Sequence, residues 1–294
     1  MAQPRQSSKK SIHKPKTVLG IPGKWDSRDA LIGAIHSTNP GTFELLNGIL
    51  KNLQTGDTYE VVIQDRNNGL RESFATAAIF DEYRRVDDEF LDAVEQHTHI
   101  TYVVGETGSF ASAGSIAAAA IAILNAGGVG IKIESSGIAF TRSEWEHLVA
   151  RLHPENQYAD NDIDLMAMFV HPAVSDGKQI TYSRGMHNLG MKDVLVEGLE
   201  FEGGAELAVE FNTFQVLDKP EFPDEGFIFE LELENSEESA FDMYAIHHDQ
   251  PHAGDELFEN PYGLWRLSPT DEEAYDEEEE EFDDEEDPDE EATQ

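Results

Sequence analysis

Residues 131–148 read IKIESSGIAFTRSEWEHL, and the fold class turns on whether they are a strand running into a helix or the lip of a reactive site. Val129, Ile131 and Ile133 alternate with Gly130 and Lys132, the period of a half-buried strand that ends at Glu134. Gly137 lets the backbone turn. Thr141-Arg-Ser-Glu144 then has the spacing of a capping box, with hydroxyl and carboxylate each accepting from the other residue's backbone N–H. Trp145, Leu148 and Leu152 supply the apolar stripe of the helix that follows. Strand, turn and capped helix account for everything except Glu134-Ser135-Ser136. Ligands tend to bind at strand ends in α/β sheets, so these three residues form a candidate polar site. The G-x-S-x-G nucleophile pattern is absent, and a plain polar turn is the competing reading.

The same alternation extends on both sides. Thr17–Trp25 reads as a strand, and Leu31, Ile32 and Ile35 fall at helical spacing behind an N-cap at Ser27 or Asp26. Tyr59, Val61 and Ile63 alternate along a strand opened by Thr55-Gly-Asp57. Glu72–Ala78 and Asp87–His97 are helical in pattern, Thr101–Val104 is a short strand, and Phe110–Asn125 is an Ala-rich helix ended by Gly127-Gly128. Asp164–Val170 and Phe227–Leu233 read as further strands, and Asp193–Glu197 is a separate short segment between them. Ala205–Leu217 fits both periods and favours a helix, whereas residues 234–260 are polar and loop-like. Asn260–Pro269 is an aromatic knot expected to pack back on the domain. The pattern predicts an α+β fold, a small mixed sheet layered with helices in one main domain over residues 17–269.

Charge marks the two ends. The net charge is −40; residues 1–16 carry +5 and residues 271–294 carry −17, which leaves −28 for residues 17–270. A basic leader (1–16) and an acidic tail (270–294) at such charge density are expected to be disordered. Phosphate binding without sequence preference needs clustered Lys and Arg, so the body is not expected to bind nucleic acid. With no cysteine, thiolate catalysis, disulfides and Cys-ligated zinc are excluded. The most apolar run, Ser115–Leu124, is half the ~20 residues of a membrane span, and the N-terminus lacks a signal-peptide core. A soluble, cytoplasmic protein is expected.

Four other motifs bear on chemistry. Gly105-Glu-Thr-Gly108-Ser between strand and helix resembles a phosphate cradle, but lacks G-K-[ST], and Glu106 would repel a phosphate. His247-His248-Asp249 with His252, and His97 with His99, have metal-ligating side chains without a known ligand spacing; no metal or other cofactor is expected. Ser183-Arg184-Gly185-Met186-His187-Asn188-Leu189-Gly190 gathers Arg, His and Asn between glycines, with Arg184 an ion-pair partner or an anion contact.

Three blocks, GIPGKWDSRDALIGAI (20–35), GGVGIKIESSGIAFTRSEW (127–145) and YSRGMHNLGMKDV (182–194), together resemble family 4261 of bacterial domains of unknown function, over roughly Val18–Leu233. The middle block is the most specific. The resemblance implies an α+β domain in a bacterial cytoplasm and carries no catalytic residue over; the basic leader and the acidic tail depart from it. Two functions are therefore weighed. In the first the chain is a non-enzymatic acidic protein that binds a basic protein partner, a toxin it neutralises among the options. In the second, Glu134, Ser135, Ser136, Arg184 and His187 converge into one small-ligand or catalytic pocket.

Overall fold

In the computed structural model the described residues are 14–77, 87–152, 161–175, 180–220, 228–232, 240–248 and 260–269. Two long strands anchor the first sheet. β1 (Lys16–Gly23) pairs antiparallel with β5 (His99–Glu106) along its full length, from Lys16 opposite Glu106 to Gly23 opposite His99. Around them lie β2 (Phe43–Leu46), β3 (Ile49–Asn52), β4 (Thr58–Asp65), β6 (Gly130–Ile133) and β7 (Ile138–Thr141), in the order β2-β3-β4-β5-β1-β6-β7 with every pairing antiparallel. Alternation sends Leu19, Ile21, Val61, Val103, Ile131 and Ile133 to one face. There they meet α1 (Arg28–Thr38), α4 (Phe110–Asn125) and α5 (Arg142–Arg151). The other face carries Ile100 and Ala139, which pack under α2 (Leu70–Ala77) and α3 (Asp88–Glu95) through Phe74, Phe90 and Val94.

The second sheet is mixed. Its order is β11 (Ile228–Glu232), β12 (Ala240–His248), β13 (Leu264–Pro269), β10 (Asp193–Glu197), β9 (Ile180–Arg184), β8 (His171–Ser175). β10 and β13 run parallel and the other pairs antiparallel. α7 (Phe201–Asp218) covers one face, setting Leu207, Ala208 and Phe211 on Val194, Val196, Trp265 and Leu267. α6 (Asn161–Phe169) joins the two layers, because Leu165, Met168 and Phe169 belong to the first core while the helix also touches α7.

The α+β class holds, with the strands sorted into two sheets rather than one. Thr141 and Glu144 form the capping box that the sequence requires, and Ser27 caps α1. Four local readings change. Asp164–Phe169 lies in a helix, not a strand, and Val170 follows its end: Asp164, Leu165, Met168 and Phe169 are the helix's buried set, a 3.6-residue period that the short apolar run Leu165–Val170 conceals. Ile138–Thr141 is a strand overlooked between a turn and a cap, because four residues are too few for a period to show. Residues 234–260 contain β12, whose partners rather than its polarity determine its conformation. The aromatic segment near Trp265 is β13, a central strand. The hairpin of β2 and β3 turns at Asn47-Gly48, both at positive φ (52° and 76°), the Asn-Gly signature of a type I′ turn. The acidic tail, most of the basic leader, Asp249 and His252 lie outside the described residues.

Candidate functional site

The β6–β7 hairpin closes through Glu134, Ser135, Ser136 and Gly137. Gly137 sits at φ 79° and donates its N–H to Ile133 O at 2.8 Å. Glu134 donates its backbone N–H to Val18 O (3.0 Å) and turns its carboxylate toward Lys132 Nζ at 2.9 Å. A Cβ on Gly20 would lie 2.9 Å from Glu134 Oε1, so the carboxylate passes close over the Gly20 backbone. Burial, then the Glu134 charge, pushes the Tyr102 phenol above its usual pKa.

The serines turn inward. Ser135 and Ser136 are fully buried, and Ser135 Oγ accepts from Asn188 Nδ2 at 3.5 Å. Asn188 lies in the single 3₁₀ turn after β9 (Met186–Leu189) and is the hub of a seam between the two sheets. Its amide also donates to Gly185 O (2.9 Å) and Phe169 O (3.4 Å), and its Oδ1 accepts from the Thr17 hydroxyl. With that proton committed, Thr107 Oγ1, 2.9 Å from Thr17 Oγ1, is left as the donor to Thr17. Gly108 donates its N–H to Asn188 O at 3.0 Å. The glycines permit the close approach. A Cβ on Gly185 (φ 120°) would lie 2.2 Å from Phe169 O, and one on Gly190 (φ 86°) would lie 2.5 Å from Gly108 O. Thr107 and Gly108 of the Gly105–Ser109 loop, the Ser135-Ser136 turn and the Gly185–Gly190 segment, from three stretches that read as candidate sites, thus meet at one joint.

His187 and Arg184 part company beside that joint. His187 is buried, with Nδ1 4.0 Å from Asp193 Oδ2, beyond hydrogen-bond reach. Asp193 is held by the Met186 N–H (3.0 Å), the Ser183 hydroxyl (3.3 Å) and Asn260 Nδ2 (2.8 Å). Arg184 turns to Tyr182, donating to its hydroxyl at 3.2 Å, and stands opposite His171 across the β8–β9 pair. Burial, then the Arg184 charge, pushes His171 down to about 4. The five residues expected to converge therefore divide. Ser135, Ser136 and His187 are buried at or beside the seam, Glu134 pairs with Lys132, and Arg184 lies with Tyr182 and His171. Glu134 turns out of the hairpin loop to Lys132 while the two serines after it turn inward, and Arg184 ends β9 beside Tyr182 whereas His187 lies in the 3₁₀ turn beyond it.

His97 is also engaged. Its Nδ1 lies 2.6 Å from Val94 O, and its Nε2 accepts from the Asn67 N–H at 3.0 Å, which defines a neutral tautomer. Burial holds its pKa below the usual value. Among the described residues no group of three or more His, Asp or Glu side chains could hold a metal ion, and no helix is long and apolar enough to cross a membrane.

An open cleft of about 750 Å³ lies elsewhere, where β4 begins, β5 ends and α4 begins. Asp57, Glu60 and Glu106 line it with a single cation, Lys16, and Tyr59 lines it together with Ser112 and Ser115. Gly105 admits the Tyr59 ring, since a Cβ there would lie 2.9 Å from Tyr59 Cδ1. Burial, then the Asp57 charge, pushes the Tyr59 phenol up to about 12. The α4 N-terminus is closed by its own cap, Ser109 Oγ accepting from the Ser112 N–H at 3.2 Å. Reading the sequence for a phosphate cradle found this loop but not its acidic partners, because Asp57 and Glu60 arrive from the start of β4 and the residue before it, nearly 50 residues earlier in the chain. Compared with models of known protein families, with curated proteins and with solved structures, the chain matches none.

Proposed function

We propose that this chain is a cytoplasmic, non-enzymatic interaction protein that binds a basic protein partner through the acidic surface of its body, as a protein that neutralises a basic toxin would. The observation that carries this reading is the acid-lined cleft: three carboxylates and one lysine around an open volume, in a body of net charge −28. Such a field draws a cationic partner in quickly and loses its pull as salt rises. The polar motifs that favoured an enzyme are engaged elsewhere, Asn188, Thr17 and Ser135 hydrogen-bonding to one another and to backbone. The resemblance to family 4261 is kept as part of this proposal. Two of the three blocks that carry it, 127–145 and 182–194, meet at the seam through Ser135 and Asn188.

The test compares the full chain with one ending at Pro269 for binding to a panel of basic proteins, from about 20 mM to 500 mM salt. Equal, salt-sensitive binding by both forms is the expected result and assigns recognition to the body. Binding lost with residues 270–294 would move recognition to the tail. Failure of every basic protein to bind at low salt would overturn the proposal.

A further inference from the structure

The first sheet turns an apolar row to water. Residues directly opposite one another in an antiparallel pair share a face. Leu46 stands opposite Ile49, Ile49 opposite Glu60, and Glu60 opposite Val104, so one row crosses β2, β3, β4 and β5. Val62, two residues on from Glu60, joins the same face from the next row. α2 and α3 pack on this face at Ile100 and Tyr102. Beyond them Leu46, Ile49 and Val62 are 61%, 43% and 38% exposed. An antiparallel sheet with one side in water sets polar residues on that side. Aliphatic side chains that are contiguous in register there mark an interaction surface.

Charge selects the partner. Two acids of this face stand across from lysines, Glu44 from Lys51 and Glu106 from Lys16. Residues 17–270 carry −28, so two copies repel over most of their surface and approach most easily where charge is balanced. Turned about a twofold axis, the face is complementary to itself, Glu44 to Lys51 and Lys51 to Glu44. A basic partner would find little net attraction at a rim so balanced. The approach is face-on. β2 is an edge strand, and His36 Nε2 lies 2.9 Å from Leu45 O and 3.2 Å from Leu45 N. α1 thus covers the edge, and adding a strand would displace His36, whereas two sheets can stack face to face.

We propose that this half-covered face is a homodimer interface, at which two copies pack sheet to sheet with Leu46, Ile49 and Val62 at the centre and Glu44 and Lys51 pairs at the rim. It is independent of the function proposed above, and salt separates the two. Screening relieves the repulsion between acidic bodies, so self-association should tighten as salt rises, while capture of a basic protein weakens. The exposed rim pairs set the register and add little strength.

The test is sedimentation velocity on the full chain at low and high salt, from about 5 µM to 500 µM because a face this small associates weakly. The average mass should move from monomer toward dimer with concentration, and do so earlier at high salt. Ile49→Lys should weaken the dimer at least about tenfold, because it brings a charge to the desolvated centre. Opposite Glu60 that lysine is tolerated by the fold, and an unchanged thermal midpoint checks this. Ile49→Thr, which keeps the β-branch, should weaken the dimer less. Glu44→Lys should weaken it by setting like charges together, and Glu44→Lys with Lys51→Glu should restore it. A monomer at every concentration in high salt would overturn the inference, as would a dimer undiminished by Ile49→Lys. A dimer that came apart as salt rose would overturn it too, since attraction between opposite charges would then hold the copies together. None of these outcomes decides the basic-protein panel, which tests the proposed function separately.

Discussion

The seam and the cleft share one loop and use it in opposite ways. From Gly105–Ser109, Thr107 and Gly108 turn to the seam, where Thr107 meets Thr17 and Gly108 meets Asn188. Glu106 and Ser109 line the cleft. At the seam, Thr17, Thr107, Ser135 and Asn188 are buried and paired with one another across the two sheets, while Ser136 Oγ and His187 Nδ1 beside them are buried without a hydrogen-bond partner. At the cleft, the carboxylates of Asp57, Glu60 and Glu106 are exposed to solvent. The difference teaches that Gly-, Ser- and Asn-rich stretches, which look reactive in a sequence, are needed equally where backbones must approach closely.

That contrast breaks first at Gly185. Alanine there would combine a positive φ with a Cβ 2.2 Å from Phe169 O, and strain plus overpacking should cost about 3–5 kcal/mol, read by urea unfolding. A near-neutral result would mean the seam is slack. Asn188→Ala should cost about 2–3 kcal/mol, since it strands the Thr17 hydroxyl and the Gly185 and Phe169 carbonyls together. Neither change should alter binding of a basic protein once the chain is folded.

Acid pH sharpens the comparison further. His97 and His171 are both held below the ordinary histidine pKa, chiefly by burial. The unfolded chain therefore binds more protons than the folded one as pH falls below about 6.5. Their contribution to stability is complete above that value and is lost as pH falls toward about 4, the folded value for His171. Denaturant midpoints between pH 7.5 and 4.5 should fall with acidification, and His171→Gln should flatten the slope. A midpoint that rose on acidification would contradict the buried, neutral rings.

The cleft should behave in the reverse sense. Asp57→Lys with Glu60→Lys, two exposed positions, should move folding stability by less than about 0.5 kcal/mol and abolish salt-sensitive binding of basic proteins. The smallest effect belongs to Glu134. Glu134→Gln removes the Lys132 pair, costing under about 1 kcal/mol, and should leave that binding unchanged. Its signature is local: the Tyr102 phenol should titrate lower than in wild type while staying above normal, because burial is the larger cause of its shift. A loss of binding in this variant would restore the strand-end site.

Much of the architecture was legible before any coordinates. The capping box at Thr141 and Glu144, the Ser27 cap and the alternation of Tyr59, Val61 and Ile63 are local rules, satisfied by residues within a few positions of one another. Asp164–Val170 was misread for the same reason. A short apolar run has no local feature that separates a helix from a strand, and only packing against α4 and α7 selects the helix. The site followed the same division: Glu134-Ser135-Ser136 was correctly located at a strand end, but which way each side chain turned depended on the hairpin register of Ile133 with Ile138.

By itself the amino-acid sequence determined the charge, the absence of thiols, the α+β class and most element starts, because these depend on composition and on contacts a few residues apart. Tertiary structure alone decided that Thr17, Thr107, Ser135 and Asn188 meet, and that Asp57, Tyr59 and Glu106 border one cleft. Thr17 and Asn188 lie 171 residues apart along the chain, and Glu106 lies nearly 50 from Asp57 and Tyr59. Their meeting depends on sheet order and register, which long-range pairing sets and local periodicity does not encode.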